Sequence, residues 1–383
     1  MTLAMEIPFI YGRIAEAEEF TGREKDTKRL RTNLTGGVNT VIMSPRRWGK
    51  SSLVHHTLEE ITNSDKDFIT CHVDMFNCKD EEAFFRTYAN AIVTASATKV
   101  EEAIETVKKY IGSFGPKITL GDAASTMEFS LGIDFKDKKY STDEILDLPE
   151  RIAQERGKRF IVCIDEFQNV ENFSDSRAFQ AQLRSHWQRH QRVTYCLYGS
   201  KRHMLMNIFA DYEMPFYKFG DIMLLQKIDS EIWKDFIVKR FNDTGKRIAP
   251  ELAMKIAEKV ECHSYYVQQY SQLVWLLTDE SATAEVLDEA YEQMLDRSAL
   301  LFETIIDGLK PRHISFLTAI ANDEQNVTSA RVLSKYNLGT SANVKNLKAA
   351  VLDKDLVMVG KNGKDLEIQD PLMKTWLRRR YRD

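Results

Sequence analysis

Two pairs of residues in this 383-residue chain have the types and settings that phosphate chemistry needs: Lys50-Ser51 and, far downstream, Asp165-Glu166. The first pair closes the stretch Met43-Ser44-Pro45-Arg46-Arg47-Trp48-Gly49-Lys50-Ser51-Ser52. A β-branched run, Thr40-Val41-Ile42, leads in, and the amphipathic segment Leu53-Val54-His55-His56-Thr57-Leu58 leads out. Strand followed by loop and helix turns the loop's backbone N–H groups and the helix N-terminus toward one point, which makes an anion site with phosphate as its usual occupant. Lys50 then reaches the β- and γ-phosphates as a point charge, and the Ser51 hydroxyl completes the shell of a Mg²⁺ ion. The spacing is that of a P-loop tail, G-x-x-x-x-G-K-[ST], with Ser44 where the first glycine belongs. Ser44, Pro45, Arg46, Arg47, Trp48, Gly49, Lys50, Ser51 and Ser52 are the candidate nucleotide contacts.

The second pair ends Arg159-Phe160-Ile161-Val162-Cys163-Ile164-Asp165-Glu166-Phe167-Gln168. Five apolar residues run straight into two carboxylates. A buried strand tolerates paired acids only at its open end, because an unpaired charge in the core is prohibitively costly. Beside a phosphate loop, Asp165 is expected to orient the Mg²⁺ and Glu166 to polarise the attacking water. A later strand, Val193-Thr194-Tyr195-Cys196-Leu197-Tyr198, ends in Gly199-Ser200, where a small hydroxyl can bond the γ-phosphate or the lytic water. Glu166 and Ser200 are thus the candidate catalytic residues, with Ser51 and Asp165 the candidate metal ligands. Upstream of the loop, Gly22 and Arg23 within Phe20-Thr21-Gly22-Arg23-Glu24 are placed to lie beside a bound base.

Several elements must hold these residues. Phe68 to Asp74 reads as a buried second strand and Ile222-Met223-Leu224-Leu225 as a fifth, so the strand–helix alternation over residues 39–226 fits one doubly wound parallel sheet. Residues 79–142 interrupt it with two helical patterns and, through Met127-Phe129-Leu131-Ile133-Phe135, a hairpin. From Glu231 the strands give way to amphipathic helices, as in a small lid. His263 beside Cys262 reads as a helix-end residue facing nucleotide or solvent. The last stretch reads helix, helix, turn, helix, hairpin, with Asn362-Gly363 as the turn: a winged helix-turn-helix. The expected fold is α/β, a P-loop NTPase sheet domain at 1–228, a helical lid at 229–305 and a winged helix at 306–383.

Bulk composition narrows the classes. With 43% hydrophobic and 29% charged residues and a net charge of −4, the chain is neither a nucleic-acid coat nor a membrane-surface protein, and a cytoplasmic location is expected. No apolar run approaches the roughly 18 residues of a membrane span. The five cysteines form no C-x-x-C pair and read as reduced core thiols. Residues 309–383 are locally basic, with 14 Lys and Arg against 8 Asp and Glu. Lys345 and Lys348 on the recognition helix, with Lys361 and Lys364 on the wing, permit contacts to duplex DNA; packing on the lid, on a protein partner or on a second copy is the other expectation.

Six stretches together resemble the archaeal-type ATPase family, of the STAND branch of AAA+-related P-loop ATPases, in its bacterial members. They are Phe20 to Glu24, Ser44 to Ser51, Ile164 to Gln168, Tyr198-Gly199-Ser200, Tyr265-Tyr266-Val267-Gln268-Gln269, and Asp370-Pro371-Leu372 with Trp376-Leu377-Arg378. The resemblance implies ATP as the nucleotide, Lys50 and Ser51 as phosphate and Mg²⁺ contacts, and Asp165 and Glu166 as the Walker B pair. The phosphate loop and the acidic pair taken together lead us to expect a slow ATPase acting as a conformational switch; the alternative is a DNA-binding regulatory or initiator-like protein in which ATP is mainly structural. Two departures stand out. Pro215-Phe216-Tyr217-Lys218-Phe219 replaces a family Pro-Leu-Tyr-x-Arg, and Ser264 replaces a proline before the paired tyrosines.

Overall fold

The three inner strands, Thr40–Met43, Arg159–Asp165 and Val193–Gly199, are runs buried almost throughout, as strands with both faces covered must be, while the edge strands Phe68–Asp74 and Asp221–Leu224 are only partly buried. The structure is a computed structural model; it describes residues 7–97, 99–110, 117–120, 129–132, 142–360 and 365–381. By packing the chain forms two compact units. A sheet unit comprises Arg23–Arg46 and Lys50–Gln226, and a helical unit comprises the residues up to Gly22, Arg47–Gly49 and the chain from Lys227 onward.

The sheet unit opens with helix α1 (Glu24–Thr35), which buries Leu30 and Leu34 one helical turn apart, and continues into β1 (Thr40–Met43) and α2 (Lys50–Ser64). Then come β2 (Phe68–Asp74), α3 (Glu81–Ser96), α4 (Val100–Tyr110) and the antiparallel pair β3 (Lys117–Leu120) and β4 (Phe129–Gly132). The rest of the hairpin expected up to Phe135 lies outside the described residues. Helices α5 (Thr142–Leu146) and α6 (Leu148–Arg156) lead to β5 (Arg159–Asp165), α7 (Ser176–Trp187), β6 (Val193–Gly199), α8 (Arg202–Ala210) and β7 (Asp221–Leu224). The strands are parallel in the order β2-β5-β6-β1-β7, so the doubly wound sheet expected from the sequence is what forms. β1 lies inside the sheet, and its four residues are all buried. Cys71, Cys78, Cys163 and Cys196 are buried in this unit as free thiols. Aromatic rings fill the layer beyond β6: Trp187 stacks on Tyr195 at 4.3 Å between centroids, and Phe216 meets Phe167 edge-on at 5.3 Å.

In the helical unit α9 (Ser230–Asp243), α10 (Pro250–Lys259), α11 (Ser264–Leu277) and the long α12 (Ala284–Asp307) are followed by α13 (Pro311–Ala321), α14 (Ala330–Lys335), α15 (Ser341–Asp353), the antiparallel strands β8 (Val357–Val359) and β9 (Leu366–Ile368), and α16 (Pro371–Arg380). The order from α13 on is that of a winged helix; the wing turn expected at Lys361 to Lys364 lies outside the described residues. One hydrophobic core runs without a break from Phe236 and Trp233 on α9 through Tyr291 and Phe302 on α12 to Trp376 and Leu377 on α16. The N-terminal arm joins it: Phe9, 1% exposed, packs on Phe241 at 5.7 Å and Phe236 at 6.2 Å. Among the described residues no helix is long and apolar enough to cross a membrane.

Candidate functional site

The carboxyl ends of β5 and β6 and the first turn of α2 bring the two sequence pairs together inside the sheet unit. Ser51 Oγ donates to Asp165 Oδ2 at 3.3 Å, and Lys50 Nζ stands 3.8 Å from both Asp165 Oδ1 and Glu166 Oε1. Ser200, the residue after β6, donates from Oγ to Glu166 Oε2 at 3.0 Å. Residues 114 and 34 positions apart thereby share one polar cluster, as the chemistry required. Lys50 is buried to 8% exposure, and its ammonium also faces the Tyr198 ring at 5.9 Å.

Electrostatics at the strand end favour an added cation. Burial pushes the Asp165 carboxyl up, Lys50 opposes that rise, and the charges of Glu166 and Asp74 add to it. Asp74 sits there because β2 and β5 pair in register, Asp74 opposite Asp165. A divalent ion held by hard oxygens removes such a penalty, and the hydroxyl of Ser51 with the carboxylate of Asp165 are donors of that kind.

Glu166 leaves the strand with φ +53°, a left-handed conformation that few non-glycine residues adopt and that concentrates at functional sites. Its position is fixed by three groups. Its own N–H donates to Asp165 Oδ1 at 2.8 Å, and Oε2 accepts from both Ser200 Oγ and Gln168 Nε2. Gln168 is 2% exposed and lies against Gly199, where an added Cβ would meet its Oε1 at 1.8 Å. The sequence motif contains Gln168 but assigns it no role; its burial and its contact with Gly199 arise only in the fold. Asn169 adds a tie, donating to the Met75 carbonyl at 2.9 Å, while Met75 N–H donates to the Asp165 carbonyl at 3.2 Å. On the open side of Glu166 lies a cavity of about 380 Å³, lined also by Arg46, Lys79, Lys201 and the exposed ring of Phe76.

The remaining loop residues divide. Ser44 and Pro45 are buried, and Ser44 Oγ donates to the Pro45 carbonyl at 3.1 Å, so the serine in the glycine's place is turned onto the loop's own backbone. Arg46 and Arg47 are exposed, Arg47 with φ +64° and Gly49 with φ +89°, the two left-handed residues that turn the loop into α2. Trp48 and Ser52 are buried, at 8% and 9% exposure. Arg23 is 4% exposed, and its Nη1 donates to the Gln226 carbonyl at 2.7 Å and to Asp26 at 3.2 Å, so its described contacts tie α1 to the end of β7. Gly22 has φ +68°, and a Cβ there would meet Ile228 at 2.6 Å, which explains the glycine by packing.

In the helical unit the guanidinium of Arg47 lies over the Tyr265 ring at 4.5 Å. His263 stands directly before α11, the helix-end position expected of it, but it is 4% exposed and so does not face solvent, and the Tyr266 ring packs 5.0 Å away. Burial lowers its pKa to about 3, and the cations Lys227 and Arg47 push in the same direction. It is a neutral imidazole at physiological pH.

Comparisons with known proteins bear on the fold. Residues 300–379 match a family model described as "Probable winged helix domain". No curated protein sequence matches the chain. Among solved structures, a Walker-type ATPase of Pyrococcus abyssi aligns over 97% of this chain and 99% of its own, at 17% identity and a TM-score of 0.69. The ORC2 protein of Aeropyrum pernix, in ADPNP–ADP complexes, aligns over 96% of each chain at 13% identity with a TM-score of 0.57. The chain thus has the fold of a P-loop ATPase that carries a winged helix at its C-terminal end, the architecture of these archaeal Walker-type and ORC proteins.

Proposed function

We propose that the protein binds ATP with Mg²⁺, hydrolyses it slowly, and uses the nucleotide to switch the conformation of its helical unit. The observation that carries this reading is the cluster of Lys50, Ser51, Asp165, Glu166 and Ser200, drawn together from three elements with Glu166 held by three directed hydrogen bonds. Lys50 and the N-terminus of α2 attract the phosphates. Ser51 and Asp165 would hold Mg²⁺, which supplies charge neutralisation on the phosphates when bound. The Glu166 carboxylate orients the attacking water and takes its proton, and Ser200 and Gln168 hold the carboxylate in place through Oε2. The Aeropyrum ORC2 protein of the same fold forms complexes with ADPNP and ADP, which agrees with a nucleotide here.

Comparing ATP affinity in the wild type and Lys50→Ala tests the reading. Tight binding that collapses in the variant is expected; equal, negligible binding in both overturns it.

A second reading, duplex-DNA binding through the winged helix with ATP mainly structural, is favoured by Lys345 and Lys348 on α15, the first exposed and the second half-buried. Against it, much of the local basic charge is already neutralised: Arg331 and Lys335 pair with Glu324, Lys374 with Glu261 and Asp323, Arg378 with Asp323, and Arg379 with Glu292. A salt-dependent affinity for duplex DNA that falls in Lys345→Glu would support this second reading, and no binding at low salt would remove it.

A further inference from the structure

Inside the sheet unit, the cavity of about 380 Å³ that Glu166 lines carries cations for which the phosphate cluster has no use. Three basic side chains reach it from three separate stretches of chain: Arg46 of the phosphate loop, Lys79 between β2 and α3, and Lys201 immediately after Ser200. Among the described residues on its wall they face a single carboxylate, that of Glu166, which is already engaged by Lys50, Ser200 and Gln168. No described ion pair or hydrogen bond uses the ammonium of Lys79, which is exposed, or of Lys201, which is half-buried. Two amides of the wall are also taken, Gln168 by Glu166 and Asn169 by the Met75 carbonyl at 2.9 Å. Lys201 is in addition the N-cap of α8 and supplies no side-chain acceptor, so the partial positive charge of the helix start adds to its own. The wall thus has an excess of positive charge beside the one group that activates water.

Resting on the functional reading above, we propose that this cavity is a holding site for the inorganic phosphate that hydrolysis produces, with Lys79 and Lys201 as its binding residues. Water's oxygen forms the new bond to the γ-phosphorus, the bond from that phosphorus to the bridging oxygen breaks, and its electron pair stays on ADP. The proton that Glu166 takes from the water passes to the phosphate, which leaves an anion beside a restored carboxylate. Like charges at that distance repel, and the cationic wall lies on the other side of Glu166. A lysine ammonium binds phosphate as a point charge, without demanding a fixed fork of acceptors, which suits an ion that must stay only for a time. Arg46 belongs both to the phosphate loop and to this wall, so the two places share a cation. Retention of the product makes ADP with phosphate the long-lived state of a slow turnover, and phosphate supplied from solution occupies the same site and inhibits.

Three measurements on the full chain at fixed ionic strength test the site: equilibrium binding of inorganic phosphate without nucleotide, acid-quenched cleavage of ATP in a single turnover, and the time course of phosphate release. They are made on the wild type, Lys50→Ala, Lys79→Ala, Lys201→Ala, the double variant of the last two, and Lys79→Arg. Each lysine-to-alanine change should weaken phosphate binding about two- to fivefold and the double variant about four- to 25-fold, as for charge pairs in a partly solvated cavity, while Lys79→Arg, which keeps the charge, should bind as the wild type does. The lysine-dependent binding should persist in Lys50→Ala. Release should lag cleavage in the wild type, and the lag, taken against each variant's own cleavage rate, should shorten in the double variant. Phosphate binding that disappears in Lys50→Ala and survives in the double variant puts the ion on the loop and overturns the proposal alone. Release without a lag in a wild type that cleaves ATP, or no phosphate binding at millimolar concentration, does the same. A wild type that binds no ATP, matching Lys50→Ala, overturns the functional reading and the product role with it.

Discussion

A methyl group added at Gly199 would land where the Gln168 amide now sits. The built Cβ lies 1.8 Å from Gln168 Oε1, 2.9 Å from its Cδ and 3.4 Å from Leu205 Cδ1, so the amide must retreat by about 1.6 Å to reach ordinary contact. Gln168 is 2% exposed, so the retreat is not a free rotation into solvent. Because Gln168 Nε2 donates to Glu166 Oε2, the proposed base loses one of its two side-chain guides and keeps only Ser200 Oγ at 3.0 Å. A displacement near 1 Å in a catalytic group lowers rates by about 100-fold, and the surviving Ser200 bond brings the expected loss for Gly199→Ala to about 10- to 100-fold in kcat. The described side-chain hydrogen bonds and ion pairs of Lys50, Ser51 and Asp165 run to one another and to Glu166 rather than to Gly199 or Gln168, so ATP affinity should stay within about twofold. Overpacking adds about 1–3 kcal/mol of destabilisation, read independently by thermal melting. The assay is single-turnover hydrolysis at saturating ATP beside equilibrium binding. Unchanged turnover in folded Gly199→Ala refutes the role given to Gln168.

Glu166→Gln should keep ATP binding and lose hydrolysis, and a wild-type turnover number in that variant removes Glu166 from its role. Asp370 caps α16 by accepting from Leu372 N–H at 2.9 Å and Met373 N–H at 3.0 Å, and it also accepts from the hydroxyl of the buried Tyr266. Asp370→Ala should destabilise the helical unit by about 2–4 kcal/mol, combining a lost helix cap of about 1 kcal/mol with a buried tyrosine hydroxyl left unbonded at about 1–3 kcal/mol; urea unfolding measures it, and a loss under about 1 kcal/mol contradicts the capping geometry. Acid should weaken the same unit through His263. Its folded pKa of about 3 lies below the unfolded value, so the unfolded chain binds more protons from about pH 6.5 downward, and stability falls by up to about 1.4 kcal/mol per pH unit until the folded pKa is reached. His263→Asn should flatten that limb of the stability–pH curve; an unaltered limb assigns the acid sensitivity elsewhere.

The sheet was legible because buried parallel strands leave an unmistakable trace: Phe160 to Ile164 is apolar without alternation, and all five residues are buried. The phosphate loop and the acidic pair were legible for a related reason, since a charge at the end of such a run has few structural explanations. Gln168 was not. Its role depends on Gly199, which is distant in the chain and meets it only once β5 and β6 are paired. Arg47 and His263 show a second limit. Spacing indicates which face of a helix a residue occupies, but not that His263 is buried beside the Tyr266 ring or that the guanidinium of Arg47 lies over Tyr265. The separate lid and wing elements were readable from their periodicity; their common core was not, because apolar residues on a helix do not announce which other helix they will meet.

The buried arm around Phe9 sets an order of events during synthesis. Apart from Arg47–Gly49, the sheet unit is one continuous piece of chain from Arg23 to Gln226, so it can assemble as soon as that piece has left the ribosome. Phe9 is made before its partners and meets Phe236 and Phe241 only when they follow, more than two hundred residues later. Until then an apolar segment waits in water. The helical unit is thus closed by segments made far apart in time, and a pause before Phe236 emerges leaves the arm without its partners while the sheet unit is already complete in sequence.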